Sequence, residues 1–157
     1  VNLARTALLL QAKHASQTHP RIVVQSPDTD VAVLSKTHFE DLQCRELWFR
    51  TGAKERLRFI PIYRLHSSLG HPLCKALPAF HALTGCDSTT ALQGIGKTTA
   101  LKILLKDNRF QQRLSHFGAG PAASNESLIS SEAFICSLYN RGGRLTKADE
   151  VRYLLFF

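Results

Sequence analysis

The sequence lacks several features that would narrow its function at once. None of its apolar runs is long enough to span a bilayer, and no basic segment followed by an apolar one opens the chain. We therefore expect no membrane partner and an intracellular location, nuclear or cytoplasmic. Methionine is absent and the chain begins at Val1, so we also expect it to be a piece of a longer protein.

Patterns typical of zinc sites are missing too. The four cysteines are widely spaced, without a Cys-x-x-Cys pair, and we interpret them as buried thiols in a reducing compartment. Among the seven histidines, His14 and His19 stand five residues apart, a spacing that does not place them on one helical face. We interpret the histidines as surface or core residues. The cysteines are Cys44, Cys74, Cys86 and Cys136.

Acidic residues are few. The 157 residues include 12 Asp and Glu against 20 Lys and Arg, which gives a net charge of +8. This excess favours a polyanionic partner, because each neutralised phosphate releases counterions. It also suits a solubility surface, so charge alone favours nucleic acid only somewhat. With 44% apolar residues, the chain has enough hydrophobic side chains for a folded domain of ordinary size.

The hydrophobic pattern predicts helices and strands along the whole chain. The first half predicts a helix over 3–16, a strand over 21–25, a turn over 26–30, a helical start over 31–35, paired strands over 46–51 and 56–60, and a helix over 61–69 ended by Gly70. The second half predicts a helix over 73–83 kinked at Pro78, a turn-rich segment over 84–96, a helix over 97–106, a linker over 118–124, a helix capped by Asn125 or Ser127 that runs to Tyr139, and a last helix capped by Thr146 with Asp149.

Two carboxylates follow the first predicted strand. Asp28 and Asp30 stand at i and i+2, so on an extended chain they project the same way. They lie just past a buried strand, where open α/β sheets bind ligands. Carboxylate oxygens are the ligands that Mg²⁺ and Mn²⁺ prefer. By itself the pattern is equally typical of a turn, because Pro and Asp are common turn residues.

A glycine turn opens the predicted helix over 97–106. Gly94-Ile95-Gly96-Lys97 lets the backbone approach a partner closely, and the N–H groups of the helix start can hold a phosphate. Lys102 and Lys106 add positive charge, and Asp87 precedes the turn. An ordinary glycine turn with helix capping is the alternative.

The segment Gly96-Lys97-Thr98 also matches the end of a P-loop. The first P-loop glycine falls on Ala91, however, and residues 85–90 are polar where a strand should precede the loop. An ATPase is therefore the less favoured alternative.

Taken in order, these motifs resemble the flap-endonuclease and XPG-like nucleases of the PIN superfamily. That family has a strand ending in Asp-x-Asp, a strand pair, a helix, a Leu-x-Gly-Cys/Ser-Asp motif, and Gly-Ile-Gly with a helix. The counterparts here are Asp28-Thr29-Asp30, residues 46–60, residues 61–70, Leu83-Thr84-Gly85-Cys86-Asp87, and Gly94-Ile95-Gly96 with residues 97–106. The match covers residues 3–110, and the phrases SPDTDV and ALPAFHALTGCDST look closest to proteins often associated with mobile elements.

The resemblance implies an α/β fold, a three-layer α/β/α PIN-like domain with a mostly parallel sheet, a helix-turn-helix element and C-terminal helices. It implies a partial nuclease core over 1–72, a phosphate-gripping helix-turn-helix element over 73–110 and a helical extension over 111–157.

The implied activity is phosphodiester hydrolysis by two Mg²⁺ or Mn²⁺ ions, with Asp28, Asp30 and Asp87 as catalytic metal ligands. The implied partner is branched or flap duplex DNA, bound through its backbone by a monomer, with K⁺ at the helix-turn-helix element. The implied phosphate contacts are Gly94, Ile95, Gly96, Lys97 and Lys102.

One departure concerns the first helix. The family opens it with acidic residues, and these positions fall here on Asn2, Leu3 and Arg5. An arginine in the pocket would repel a divalent cation. The family's first strand with its Asp, and the arch that threads a flap, have no counterpart in these residues. We therefore expect a catalytically impaired nuclease domain. The alternative is a non-catalytic module on the same scaffold that binds nucleic acid or protein.

Overall fold

The computed structural model describes residues 3–87, 89–117, 124–140 and 145–156. Over these residues the chain has a mixed α/β fold that is mostly helical, with eight α-helices and one three-stranded sheet. It divides into two compact units, Val1–Cys74 and Lys75–Phe157. No described helix is both long enough and apolar enough to cross a membrane.

The first unit holds the sheet and the helices that cover it. Its elements are α1 (Leu3–Ser16), β1 (Arg21–Gln25), α2 (Thr29–Thr37), a 3-10 turn (Phe39–Asp41), β2 (Glu46–Thr51), a second 3-10 turn (Lys54–Arg56), β3 (Arg58–Pro61), α3 (Ile62–Leu69) and the start of α4 (His71–Leu83), which continues into the second unit. These bounds confirm the predicted first helix and first two strands, because Pro20 and the β-branched run at 22–24 mark the change of structure.

The sheet has the order β1-β2-β3 and is mixed. β1 runs parallel to β2, with Val23 opposite Trp48, and β2 runs antiparallel to β3, with Arg50 opposite Phe59. We expected a mostly parallel sheet, and this is wrong for the described strands. Only residues 52–57 connect β2 to β3, and such a short connection can join antiparallel neighbours but not parallel ones.

Alternating apolar residues build the core of the first unit. Ile22 and Val24 of β1 face inward, and Leu47 and Phe49 of β2 are 0% and 1% exposed. α1 packs on β1, α3 packs on β2, and α2 contacts both α1 and α3. Full burial of one such side chain contributes about 1.5–3 kcal/mol. This packing fixes the carboxyl end of β1, where Asp28 follows.

The second unit is helical over its described residues. After α4 come α5 (Lys97–Lys106), α6 (Asn108–Ser115), α7 (Asn125–Tyr139) and α8 (Ala148–Phe156). Phe134 of α7 is fully buried, and the rings of Phe80 and Phe110 meet it edge-on, with centroids 6.3 and 5.4 Å away. The sequence predicted α5 with the observed bounds but missed α6. Asp107 caps α6 by accepting a hydrogen bond from the Arg109 N–H at 2.9 Å.

Two predicted helix starts need correction. α7 is capped by Ser124, whose hydroxyl accepts from the Ser127 N–H at 3.1 Å, rather than by Asn125 or Ser127. α8 begins at Ala148, whose N–H donates to Glu132 at 2.8 Å. We expected Thr146 and Asp149 to cap this helix, but the Glu132 carboxylate accepts the hydrogen bond from its first residue instead. Residues 118–123 of the predicted linker and the basic turn at 141–144 lie outside the described residues.

The cysteines agree in part with their prediction. Cys44, Cys74 and Cys136 are buried thiols, whereas Cys86 is only half-buried. Burial raises the pKa of the Cys44 and Cys136 thiols, which keeps both in the neutral form at pH 7.

Candidate metal and nucleic-acid site

Asp28 stands at the junction between β1 and α2. Its backbone is extended, at φ −88° and ψ 120°, and its carboxylate caps α2 by accepting from the Asp30 N–H at 2.9 Å. The Asp28 N–H itself donates to the Ser26 hydroxyl at 3.1 Å. Asp28 therefore does what an ordinary turn residue does, as well as presenting a carboxylate at the end of β1.

Asp30 belongs to the first turn of α2 and is 9% exposed. Its position corrects our geometric reasoning, which placed both carboxylates on an extended chain. Here the chain turns into a helix after Asp28, yet oxygens of the two carboxylates still come within 4.8 Å of each other. The two negative charges therefore share one small site at the end of the strand.

Arg5 of α1 joins both carboxylates. Its Nε donates to Asp28 Oδ2 at 2.5 Å, and its Nη1 forms an ion pair with Asp30 Oδ2. The exposed fractions of the Arg5, Asp28 and Asp30 side chains are 17%, 30% and 12%, so the cluster is largely withdrawn from water. The expectation that Arg5 faces the acidic pocket is confirmed. We call Arg5, Asp28 and Asp30 the arginine–aspartate cluster.

The arginine–aspartate cluster is a poor fit to a pair of divalent ions. Asp28 already uses one oxygen for the helix cap and the other for Arg5, and Asp30 also contacts Arg5. A divalent ion at these oxygens would meet the repulsion of a guanidinium in a site with little water to screen it. The nuclease family that the sequence resembles has acidic residues at two further positions, which fall here on Asn2 and Leu3. Asn2 and the side chain of Leu3 lie outside the described residues.

Asp87 lies in the second unit, in the turn between α4 and α5. Gly85 shapes this turn with a φ of +101°, and a Cβ there would stand 2.6 Å from Ala91 Cα. Thr89 closes it, since its hydroxyl donates to the Ala82 carbonyl at 2.7 Å and accepts from the Cys86 N–H at 3.0 Å. The convergence of Asp87 with Asp28 and Asp30 stays a prediction.

The glycine turn before α5 is exposed and lacks a side-chain cap. Gly94 has a φ of +72°. Gly96 is the extended N-cap residue just before α5, and its carbonyl accepts from the Thr99 and Ala100 N–H groups. A Cβ built on Gly96 would meet no atom of the described residues within 4 Å, so packing against them does not require a glycine there. Lys97 Nζ lies 2.9 Å from His81 Nδ1.

The lysines of α5 are exposed, and α5 contains no acidic residue. We call residues 94–97 the Gly94–Lys97 turn. Together with the lysines of α5 it makes the start of this helix basic. The phosphate contacts and the K⁺ ion expected at this element stay predictions. A P-loop is disfavoured, because no strand leads into the turn over the described residues 84–87 and 89–96 apart from an isolated bridge between Cys86 and Thr89.

A second cluster in the first unit was not predicted from the sequence. Glu40 of the first 3-10 turn, His66 of α3 and His71 of α4 bring potential ligand atoms within 4.8 Å of one another. His66 and His71 are five residues apart, a spacing we dismissed for His14 and His19 because it does not suit one helix. The chain leaves the helical conformation at Gly70, which lies between them with a φ of +80° and ends α3.

Comparison of the chain with protein-family models, with curated proteins and with solved structures finds no match. The function is therefore inferred from the residues of the two units themselves.

Proposed function

We propose that the chain is a catalytically impaired nuclease domain of the flap-endonuclease and XPG-like type, built on a three-layer PIN scaffold. It binds the sugar-phosphate backbone of branched or flap DNA and hydrolyses it weakly or not at all. The observation that carries the proposal is Arg5, whose guanidinium pairs with both Asp28 and Asp30. The pair of carboxylates between β1 and α2 suits a metal-dependent nuclease. The positive charge of Arg5 beside them opposes the binding of metal ions.

The charge balance of the arginine–aspartate cluster explains the expected loss of catalysis. Two divalent ions, when bound, would activate water and stabilise the leaving oxygen of a phosphodiester. Asp28, Asp30 and Asp87 would be their carboxylate ligands, which is few for two Mg²⁺ ions. Arg5 lowers the negative charge that attracts such ions, and it holds the two carboxylates in an ion-pair geometry instead.

DNA binding rests on a different element. The Gly94–Lys97 turn leads into the first backbone N–H groups of α5, with the exposed Lys97 and Lys102 in the same helix. The open space at Gly96 lets a phosphate approach the backbone closely. Such contacts carry no base information, so recognition depends on the shape of the DNA and on its backbone charge.

A non-catalytic nucleic-acid module on the same scaffold is the second candidate. The same ion pairs favour it, because a carboxylate pair held by an arginine helps to fold the first unit without any metal. The two candidates differ in a single property. An impaired nuclease regains metal-dependent cleavage when acids replace Arg5 and its neighbours Asn2 and Leu3, whereas a binding module does not.

The test is a fluorescence-anisotropy titration of labelled flap DNA at several salt concentrations. We expect the wild-type affinity to fall steeply with salt, and Lys97→Glu and Gly96→Ala to weaken binding to all sequences about equally. Lys147→Glu is the matched control, since Lys147 is an exposed lysine of the same unit that precedes α8. Equal effects of Lys97→Glu and Lys147→Glu, or affinity that does not depend on salt, would reduce the turn to a structural element.

A further inference from the structure

The cluster of Glu40, His66 and His71 lies wholly within the first unit and takes no part in the proposed nuclease chemistry. Three separate elements supply its members, namely a 3-10 turn, the last turn of α3 and the first residue of α4. Glu40 is central to it. Its Oε2 lies 2.6 Å from His71 Nδ1, and its Oε1 lies 3.5 Å from His66 Nε2.

His66 carries the decisive observation. It is 7% exposed, and its Nε2 has no hydrogen-bond partner among the described residues. A buried ring nitrogen without a partner costs free energy, because the group has given up its hydrogen bonds to water. The ring of Phe39 stands 5.4 Å from the imidazole and helps to fix its orientation. His66 Nε2 is therefore a buried nitrogen without a hydrogen bond to the described residues, and it lies close to the potential ligand atoms of Glu40 and His71.

We propose that Glu40, His66 and His71 bind a divalent transition-metal ion, with Zn²⁺ as the ion that best suits the ligands. Two imidazole nitrogens and one carboxylate oxygen form a three-ligand set that tetrahedral zinc accepts, with water in the fourth position. Imidazole also discriminates against Mg²⁺ and Ca²⁺, which prefer sites made of oxygen atoms alone. The proposal does not depend on the nuclease function, since it uses neither the arginine–aspartate cluster nor the Gly94–Lys97 turn.

The geometry needs only a small adjustment to hold the ion. With metal–ligand distances of about 2.0–2.1 Å in a tetrahedron, two ligand atoms stand roughly 3.3 Å apart. The His66–Glu40 distance of 3.5 Å already suits this separation, whereas the His71–Glu40 distance of 2.6 Å is that of a hydrogen bond. Both Glu40 and His71 are about half exposed, at 45% and 55%, so their side chains can rotate apart as the metal enters.

The alternative to a metal site is a pair of hydrogen-bonded ion pairs, in which protonated His66 and His71 donate to Glu40. A protonated His66 would donate to Glu40 over a long 3.5 Å contact, which leaves its buried nitrogen poorly satisfied. A metal satisfies Nε2 fully and binds the other two ligands as well. The two readings differ in whether the protein takes up a metal at stoichiometric amounts.

The experiment is a titration of the full chain with Co²⁺, followed by visible absorption and then by displacement with Zn²⁺. We expect one Co²⁺ per chain, with the intense bands of tetrahedral coordination and without the charge-transfer band of a thiolate ligand. His71→Ala and Glu40→Gln change exposed side chains, and each should weaken Co²⁺ binding by at least about tenfold, since even outer partners of metal ligands matter that much. Zn²⁺ should raise the unfolding temperature of the wild type and leave that of His71→Ala unchanged.

His38→Ala supplies the matched control. His38 Nδ1 lies 2.8 Å from Asp41 in the same turn region, so this change removes a comparable histidine–carboxylate pair outside the proposed site. It should leave Co²⁺ affinity unchanged. Absence of tetrahedral bands in the wild type would overturn the proposal. Equal affinity of the wild type and His71→Ala would overturn it too, because the metal would then sit on other histidines or cysteines.

Discussion

Replacement of Arg5 by glutamine tests the arginine–aspartate cluster most sharply. The change removes the positive charge and leaves Asp28 and Asp30, with oxygens within 4.8 Å of each other, to repel one another in a largely dehydrated site. Removal of one partner from a fully buried pair costs about 3–5 kcal/mol, and loss of an exposed pair costs about 0.2–1 kcal/mol. The side chains of Arg5, Asp28 and Asp30 are 17%, 30% and 12% exposed, so the cluster lies between an exposed and a fully buried ion pair and nearer the buried one. We therefore expect a loss of about 2–3 kcal/mol in the free energy of unfolding.

Magnesium should then recover part of that loss. Arg5→Gln removes the guanidinium that pairs with both carboxylates, which favours Mg²⁺ binding at their oxygens. A ligand present at ten times its Kd stabilises the folded state by about 1.4 kcal/mol. The wild type should gain much less from the same Mg²⁺, because Arg5 already neutralises the pair.

The assay is urea unfolding followed by the fluorescence of Trp48, with and without Mg²⁺. Arg21→Gln is the matched control in the same unit, since Arg21 pairs with Glu46 at 2.8 Å but its side chain is 68% exposed. It should destabilise the unit much less and show no recovery in Mg²⁺. If Arg5→Gln and Arg21→Gln lost equal stability, or if Mg²⁺ stabilised the wild type as much as Arg5→Gln, Arg5 would not be the group that neutralises the two carboxylates in place of a metal ion.

Three further predictions concern stability. Phe49→Ala should cost about 3–5 kcal/mol in urea unfolding, because the ring is buried and leaves a cavity; a loss below 1 kcal/mol would contradict the core assignment. Gly85→Ala should change the circular dichroism and lower the unfolding temperature of the second unit, because its Cβ would clash with the Ala91 backbone, whereas unchanged unfolding would argue against this turn geometry. The hydrogen bond from Arg21, then that from Trp48, holds the pKa of Glu46 below its usual range. The stability that this gives is present above the unfolded-state pKa of about 4.3 and is lost as pH falls through the lower folded-state value, so the stability difference between wild type and Glu46→Gln should shrink in acid; a constant difference would contradict it.

Elements with a strong local signal could be predicted from the sequence. α1, β1 and β2 have the predicted bounds, because hydrophobic periodicity and a proline define their ends without help from the rest of the fold. The placement of Arg5 near Asp28 was expected only through the family resemblance, which aligns Arg5 with an acidic position of the first helix. α6 was missed, because its sequence NRFQQRLS is mostly polar and its packing against α7 is tertiary information.

Features that depend on several elements meeting in space could not be predicted. The spacing of His66 and His71 indicates nothing until the turn at Gly70 brings the ends of α3 and α4 together with Glu40. The cap of α8 is similar, because Glu132 comes from the preceding helix rather than from the local sequence. The Asp28 and Asp30 pair was identified correctly as a pair, but through an extended geometry that the start of α2 replaces.

The central claim is that this chain binds DNA without cleaving it efficiently, and one measurement tests both halves. Labelled flap DNA is incubated with the wild-type chain in Mg²⁺ or Mn²⁺, and the bound and cleaved fractions are read from the same samples, with Asp28→Ala as the control for contaminating nuclease. We predict substantial salt-sensitive binding and at most trace cleavage, of which only the part that Asp28→Ala removes belongs to the chain itself. Efficient cleavage by the wild type that Asp28→Ala abolishes, or failure to bind DNA at low salt, would contradict the claim.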